Sequence, residues 1–264
     1  MKKRRKIGGF IPHRLAIVII IPLFVVVCVI WIIRDIAAPD VSEETMKRVE
    51  EFADKHDLKV GDWPDNIIAM MDKNPETEEF VLNYPLKKDK KFDITMNGHE
   101  ECKEVPLIMQ WDERWGYTEY SGEIMGLSGC GPTCLSMVSI YLTGNTEYNP
   151  RYIADMSEIE GYVSKGKGSS WTLISEGAEK LGIDVDELPL HEQTIINELE
   201  NGNPIICVMD KGDFTSTGHY IVMTGYSDGK IKINDPNSIS RSNKLWEYDK
   251  IKDQIKNLWS CKVA

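Results

Sequence analysis

In the segment Leu127-Ser128-Gly129-Cys130-Gly131-Pro132-Thr133-Cys134-Leu135-Ser136-Met137-Val138, two glycines flank a cysteine and a proline follows at once. The glycines let backbone or ligand approach Cys130 closely. Pro132 suits a first helical turn, whose N–H groups have no intrahelical acceptor. Leu135, Val138 and residues 140–142 continue at helical spacing. The pattern predicts a helix over 130–142 with Cys130 at its start. Free N–H groups and the helix dipole favour an anion there, which lowers a thiol pKa, and the thiolate is the nucleophilic form. The same turn offers N–H groups to a developing oxyanion. A single cysteine is more often a small buried hydrophobe. That is the reading for Cys134, one turn further along the apolar stripe. Three residues separate the two cysteines, one too many for a thioredoxin-type pair.

Outward from this segment, composition sets the bounds. The chain has 264 residues, 42% of them hydrophobic, enough for one domain of roughly 150 residues with appendages. Residues 1–34 hold seven Lys/Arg and no Asp/Glu, so the other 24 basic residues face all 42 acidic ones, a net charge of −18 beyond residue 34. So acidic a globular part argues against nucleic acid as a partner. Cys28 lies in an apolar run, and Cys102, Cys130, Cys134, Cys207 and Cys261 lie beyond it. Five thiols are compatible with up to two disulfides or with none. No zinc-ligand spacing occurs, and no metal or organic cofactor is indicated.

Residues 15–33 run without a charge behind a basic N-terminus, long enough to span a bilayer. The positive flank predicts residues 1–14 in the cytoplasm, a single-pass signal anchor over 15–34 in the cell membrane, and everything after it outside the cytoplasm. A cleaved signal peptide competes, but its apolar core is usually shorter. Residues 35–104 read as a charged lead-in: a helix capped by Ser42 running to about Ala53, short helices over 65–71 and 75–83, and a lysine-rich linker over 86–92. It is either a stalk or a small subdomain packed on the rest, and His56 and His99 read as exposed.

A further domain is expected over 105–264. Residues 105–111 look like a strand, 112–117 irregular, and a helix lies near Ile153. A Gly/Ser/Lys loop covers 164–170. Ser170 is expected to cap a helix over 171–181 that ends at Gly182. Another helix covers 191–201, a buried strand 204–209, and an amphipathic surface helix or edge strand 245–259. Two β-rich runs, 220–226 and 230–234, flank Ser227-Asp228-Gly229, a strong hairpin signal. Pairing outward from that turn brings His219 near Asp235. A thiolate needs a base and the base an orienter. His219 supplies the imidazole and Asp235 the carboxylate, with Asn234 as an alternative orienter. Gln110 is a candidate side-chain donor to an oxyanion.

Val105-Pro106-Leu107 through Gln110-Trp111-Asp112-Glu113-Arg114-Trp115, Gly129-Cys130-Gly131-Pro132-Thr133, Gly202-Asn203-Pro204-Ile205-Ile206, Gly218-His219-Tyr220-Ile221-Val222 and Asn234-Asp235-Pro236, in that order, resemble the papain-like cysteine peptidases of family thirty-nine. These are relatives of the double-glycine-leader peptidases that process bacteriocins. The resemblance implies a bacterial thiol peptidase with an α+β, papain-like fold, in which a Cys-bearing helix packs on an antiparallel sheet carrying His and Asp. It implies Cys130 as nucleophile, His219 as general base and acid, Asp235 as orienter and Gln110 in the oxyanion hole, with a peptide or protein substrate. Here Gln110 precedes Cys130 by more than the few residues usual in the leader peptidases, and a stand-alone form without a transporter is expected. The rivals are a cell-wall amidase of the CHAP type, which would release wall peptides from peptidoglycan and spare proteins, and a catalytically silent binding module on the same scaffold, whose Cys130 would react no faster than Cys134 or Cys207.

Overall fold

Ser42 accepts a hydrogen bond from the Thr45 N–H and caps α1 (Glu43–His56), because its hydroxyl satisfies a donor that the first turn leaves orphaned. α2 (Asp65–Lys73) and α3 (Glu78–Lys87) come next, joined by a tight turn at Pro75–Thr77. The computed structural model to which these elements belong describes residues 41–96, 98 and 102–264. The expected anchor over 15–34, its basic flank and His99 lie outside the described residues. Among the described residues no helix is long and apolar enough to cross a membrane.

The three helices bury one apolar core around Val49, Trp63, Ile67, Phe80 and Val81, which also takes in Tyr117, with Trp111, Ile124 and Leu127 packed against it. Phe80 stacks on Tyr117 with ring centroids 4.3 Å apart, and the Tyr117 hydroxyl donates to the Phe80 carbonyl at 2.8 Å. Lys87 pairs with Glu113 at 2.5 Å. The helices of residues 43–87 thus pack against residues 111–127 and do not stand free as a stalk.

Residues 105–111 form no strand, contrary to expectation. The Val105 and Pro106 carbonyls accept from Asn234 Nδ2 at 3.0 and 3.2 Å, and the Gln110 N–H donates to the Pro236 carbonyl at 2.8 Å. A side chain and a loop satisfy the groups that a ladder would have used. A two-residue hairpin, β1 (Glu119–Tyr120) and β2 (Glu123–Ile124), and one helical turn at Met125–Ser128 then lead into α4 (Cys130–Thr143).

From Gly131 to Ile140 every residue of α4 is buried. Such a helix tolerates hydroxyls only if they are satisfied internally. Ser139 and Thr143 return bonds to the Leu135 and Ser139 carbonyls at 2.7 and 2.6 Å, and Ser136 reaches the Tyr148 carbonyl at 2.6 Å. Gly144 ends the helix with φ 69°, as a left-handed cap requires. α5 (Pro150–Glu160) is capped by Asn149. The helix expected over 171–181 is broken. It exists only as a turn at Thr172–Ser175 and a 3-10 turn at Ala178–Leu181. Gly177 sits at the break, a residue of low helix propensity.

Six antiparallel strands complete the domain in the spatial order β3 (Ile183–Glu187), β8 (Ile255–Val263), β4 (Ile205–Met209), β5 (His219–Ser227), β6 (Lys230–Asn234), β7 (Leu245–Trp246). Side chains alternate across the sheet. Ile206, Val208, Tyr220, Val222 and Trp259 face α4, while Ile205, Cys207, Ile221, Met223 and Leu258 face α6 (Glu192–Glu200) through Ile195 and Leu199. The expected strand over 204–209 and the hairpin are present. Asp228 and Gly229, at φ 54° and 74°, make the tight turn that joins β5 to β6. Of residues 245–259, the first part is as expected, an edge strand at Leu245–Trp246 and a short helix at Tyr248–Ile251, but amphipathicity misreads the end. β8 is a central strand between β3 and β4, and Leu258 to Cys261 are buried. The charges of that region end at Lys256 and resume at Lys262, leaving the bare run that an interior strand requires. All five described cysteines are free thiols, and Cys134 is a core residue with no exposure.

The start of α4 meets the 164–170 loop without a spare ångström. A Cβ on Gly131 would overlap Ser169 Oγ and lie 2.7 Å from Ser169 Cβ, while Ser169 is itself fixed by a 2.6 Å bond to the Tyr120 hydroxyl. Gly131→Ala is expected to cost about 1–3 kcal/mol as overpacking. A denaturant midpoint equal to that of the parent chain would show that the loop yields freely.

Candidate active site

The helix start puts Cys130 at the foot of a cleft, half-buried, where the first-turn N–H groups point outward. β5 begins at His219, whose backbone pairs with Met209 of β4. β6 ends at Asn234, opposite Val222, so Asp235 is the first residue past the ladder. His219 and Asp235 are not cross-strand partners: with Asn234 opposite Val222, Asp235 falls level with Ile221, and the bulge between Met223 and Gly225 has brought it one position nearer to His219 than an uninterrupted ladder would. Their side chains nevertheless meet. His219 Nε2 lies 2.8 Å from Asp235 Oδ1, which leaves Nδ1 for Cys130. The Asn234 side chain is engaged elsewhere, on Val105, Pro106 and the Met137 sulfur.

Asp235 has no solvent exposure and is held from three sides. Oδ1 also accepts the Asn237 N–H at 2.8 Å, and Oδ2 accepts Arg241 Nε at 2.5 Å. Burial alone would push its carboxyl up, but the charges of His219 and Arg241 hold it below the usual carboxylate range. Burial would likewise push the His219 imidazolium down. The Asp235 charge and hydrogen bond, joined by Cys130, outweigh it and raise His219 to about 10. At Cys130 burial pushes the thiol up, and the His219 hydrogen bond and charge, then the Tyr220 and Gly131 N–H groups, bring it below its ordinary value. The neighbouring thiols Cys134 and Cys207 are instead driven up by burial. Cys130 is thus brought down where Cys134, Cys207 and Cys261 are driven up, and the His219 imidazole, more than the helix start, makes the difference.

Gln110 lines the same cleft as Cys130 and His219. It is 3% exposed. Its Nε2 donates to the Gly126 carbonyl at 2.7 Å, which orients the amide and leaves the second Nε2 hydrogen for an oxygen in the cleft, while Oε1 has no partner. The long chain between Gln110 and Cys130 is taken up by the β1–β2 hairpin and the Met125–Ser128 turn, so distance along the chain does not separate the two in space.

Two contributors escape a reading of the residues alone. Arg241 sits in Ser238-Ile239-Ser240-Arg241-Ser242, which carries no signal beyond a polar turn. Glu76 of the lead-in accepts the Ile239 and Ser240 N–H groups at 2.6 and 2.9 Å and the Ser238 hydroxyl at 3.2 Å, capping the short helix Ile239–Ser242 that presents Arg241. His56 is exposed and stacks on Phe52, far from any such network. No group of His, Cys, Asp and Glu suited to a metal ion occurs among the described residues.

Against known proteins, no curated protein sequence matches the chain. Among solved structures, it is similar to the peptidase domain of Streptococcus ComA, a bifunctional ABC transporter involved in a quorum-sensing pathway, at 22% identity, TM-score 0.41, covering 52% of this chain and 90% of that one. It is also similar to a Bacillus anthracis protein described as a C39-like peptidase, at 16% identity, TM-score 0.41, covering 61% of this chain and 95% of that one. The model of the Peptidase_C39 like family matches residues 102–261, a span that holds Gln110, Cys130, His219 and Asp235. The chain belongs to the Peptidase_C39 like family.

Proposed function

We propose that this protein is a thiol peptidase whose reaction runs on Cys130, His219, Asp235 and Gln110. One observation carries the reading: a thiol held below its ordinary pKa at a helix start, in an open cleft, against an imidazole anchored 2.8 Å from a fully buried carboxylate. The Cys130 thiolate attacks a peptide carbonyl carbon. The oxygen becomes an oxyanion facing the free Gln110 N–H and the backbone N–H groups of the helix start. The His219 imidazolium gives its proton to the leaving amine, which departs and leaves a thioester. His219 then takes a proton from water, whose oxygen displaces the thiolate and yields the new carboxylate. Asp235 keeps the imidazole in one tautomer and stabilises its charged form.

We further propose that residues 15–34 anchor the chain in the cell membrane and that the cleft works outside the cytoplasm, on exposed segments of peptides or proteins. The uncharged run behind a basic flank supports this.

The test is alkylation of the full chain with iodoacetamide, with each cysteine followed by mass spectrometry. Cys130 is expected to react at least about 10 times faster than Cys134, Cys207 or Cys261 at pH 7, as a thiolate does. In the His219→Ala variant the Cys130 rate itself falls by about that factor, while the three buried cysteines stay slow. Uniform, slow labelling in the parent protein would remove the thiolate and favour a silent module on this scaffold.

A further inference from the structure

The cleft has two lobes that meet at Cys130 and His219. One runs towards the 166–169 loop and Trp171. The other has a wall that the matched family span, residues 102–261, does not contain. That wall is α2 of the lead-in, through Asn66, Met70, Lys73 and Asn74, and it faces the 212–218 segment and Arg241.

The wall is fixed in place. Asn74 Nδ2 donates to the Asn237 carbonyl at 2.5 Å, Asn66 Nδ2 to Glu123 at 2.9 Å, and Glu76 caps the helix of Arg241. The lining of the lobe carries two permanent cations, Lys73 and Arg241, and one carboxylate, Asp213. Lys73 is exposed and forms no ion pair within the described residues. Arg241 gives Nε to Asp235, but its Nη2 is buried and has no partner. The carboxylate on the opposite wall, Asp213, is already engaged by Lys250 at 3.5 Å and by Gln254 Nε2 at 2.7 Å. Asp72, beside Lys73, is engaged by Ser42 and Thr45. A buried guanidinium nitrogen without an acceptor is costly, and a second cation at the rim adds to the field in the cleft.

We propose that this lobe is a recognition subsite for an acidic substrate residue, an Asp or Glu side chain held between Lys73 and Arg241, with the lead-in as its wall. The proposal rests on Cys130 as the reacting group of the cleft. It gives the lead-in a role in choosing the substrate: the chain between anchor and catalytic residues supplies half of one subsite.

The test uses the full chain and the rate at which Cys130 is alkylated by iodoacetate, an anion, relative to iodoacetamide, its neutral counterpart. The His219 charge favours iodoacetate in every variant and cancels from the comparison. Lys73→Glu is expected to lower the iodoacetate-to-iodoacetamide ratio about three- to tenfold at low salt, with the difference shrinking in molar salt. Lys47→Glu makes the same change of net charge on α1, where Lys47 faces Glu51, and leaves the ratio as it was. An unchanged ratio in Lys73→Glu, or an equal fall in Lys47→Glu, overturns the subsite. In a second arm, peptides that differ only by Glu or Gln at each position around the cleaved bond are compared. The parent prefers Glu at one position by about tenfold and Lys73→Glu loses that preference. Absence of any preference there also overturns it. If no peptide is cut at all, the peptidase reading fails, and the alkylation ratio still decides the subsite.

Discussion

Cys130→Ala abolishes peptide hydrolysis, lowering kcat/KM on the order of 1,000-fold or more, and leaves the melting temperature within a few degrees of the parent. The two expectations come from different features of the same residue. Chemically, among the described residues only Cys130 combines a lowered thiol pKa with a place in the cleft. Cys134 is one turn deeper, unexposed and pushed up by burial, so it cannot substitute. Mechanically, Cys130 is half-buried and packs at the edge of the core that α4 builds against the sheet. Removing one sulfur there is a change of about 1 kcal/mol or less. Cys130→Ser sharpens the test, because it keeps the shape of the side chain and the Tyr220 and Gly131 N–H groups around it. A hydroxyl in place of the thiol is not ionised by the same surroundings, so Ser is expected to be nearly as inactive as Ala. Residual hydrolysis within tenfold of the parent in either variant would mean that another group attacks the substrate.

What the sequence revealed of this site, and what it hid, depends on how local each feature is. The helix start at Cys130 is written in Gly129, Gly131 and Pro132, and the hairpin in Asp228-Gly229, because turns and caps are decided by backbone preferences of a few residues. The meeting of His219 with Asp235 was legible from that hairpin in outline. The bulge that shifts the register was not read, although Gly225, an isolated glycine inside the strand, is the kind of residue that marks one. Strand β8 was hidden because alternation and amphipathicity say how a segment is faced, not whether two neighbours cover its edges. β3 was missed although Ile183 and Val185 alternate with acidic residues, a pattern as good for a loop as for an edge strand. Residues 105–111 have strand composition, yet the Asn234 side chain takes their carbonyls, a tertiary event with no local sign. Arg241 and Glu76 belong to the same class. Their partners lie in a buried carboxylate and in a helix cap 163 residues away in the chain.

His219→Ala lowers kcat/KM about 1,000-fold, and Asp235→Asn shows why through its pH dependence. Hydrolysis needs Cys130 without its proton and His219 with one. The rising limb of kcat/KM therefore follows Cys130, below the ordinary range of a thiol, and the falling limb follows His219, near 10. Asn at 235 keeps an oxygen for the imidazole but removes the negative charge. That charge is the main influence raising His219, so the imidazolium becomes less stable and the falling limb moves to lower pH, towards the ordinary histidine value of about 6.5. The imidazolium in turn is what brings Cys130 down, so the rising limb moves to higher pH. The bell narrows from both sides, and its maximum falls about 100-fold or more. A merely structural part for Asp235 would lower the maximum through loss of folded protein and leave both limbs where they were. Arg241 provides the internal check. In Asp235→Asn its guanidinium loses its carboxylate, so some loss of stability is expected as well, measurable by melting and separable from the limbs because kcat/KM is read per active site titrated with iodoacetamide. Limbs unmoved in Asp235→Asn, at full occupancy of folded sites, would show that His219 owes its protonation to something other than this carboxylate.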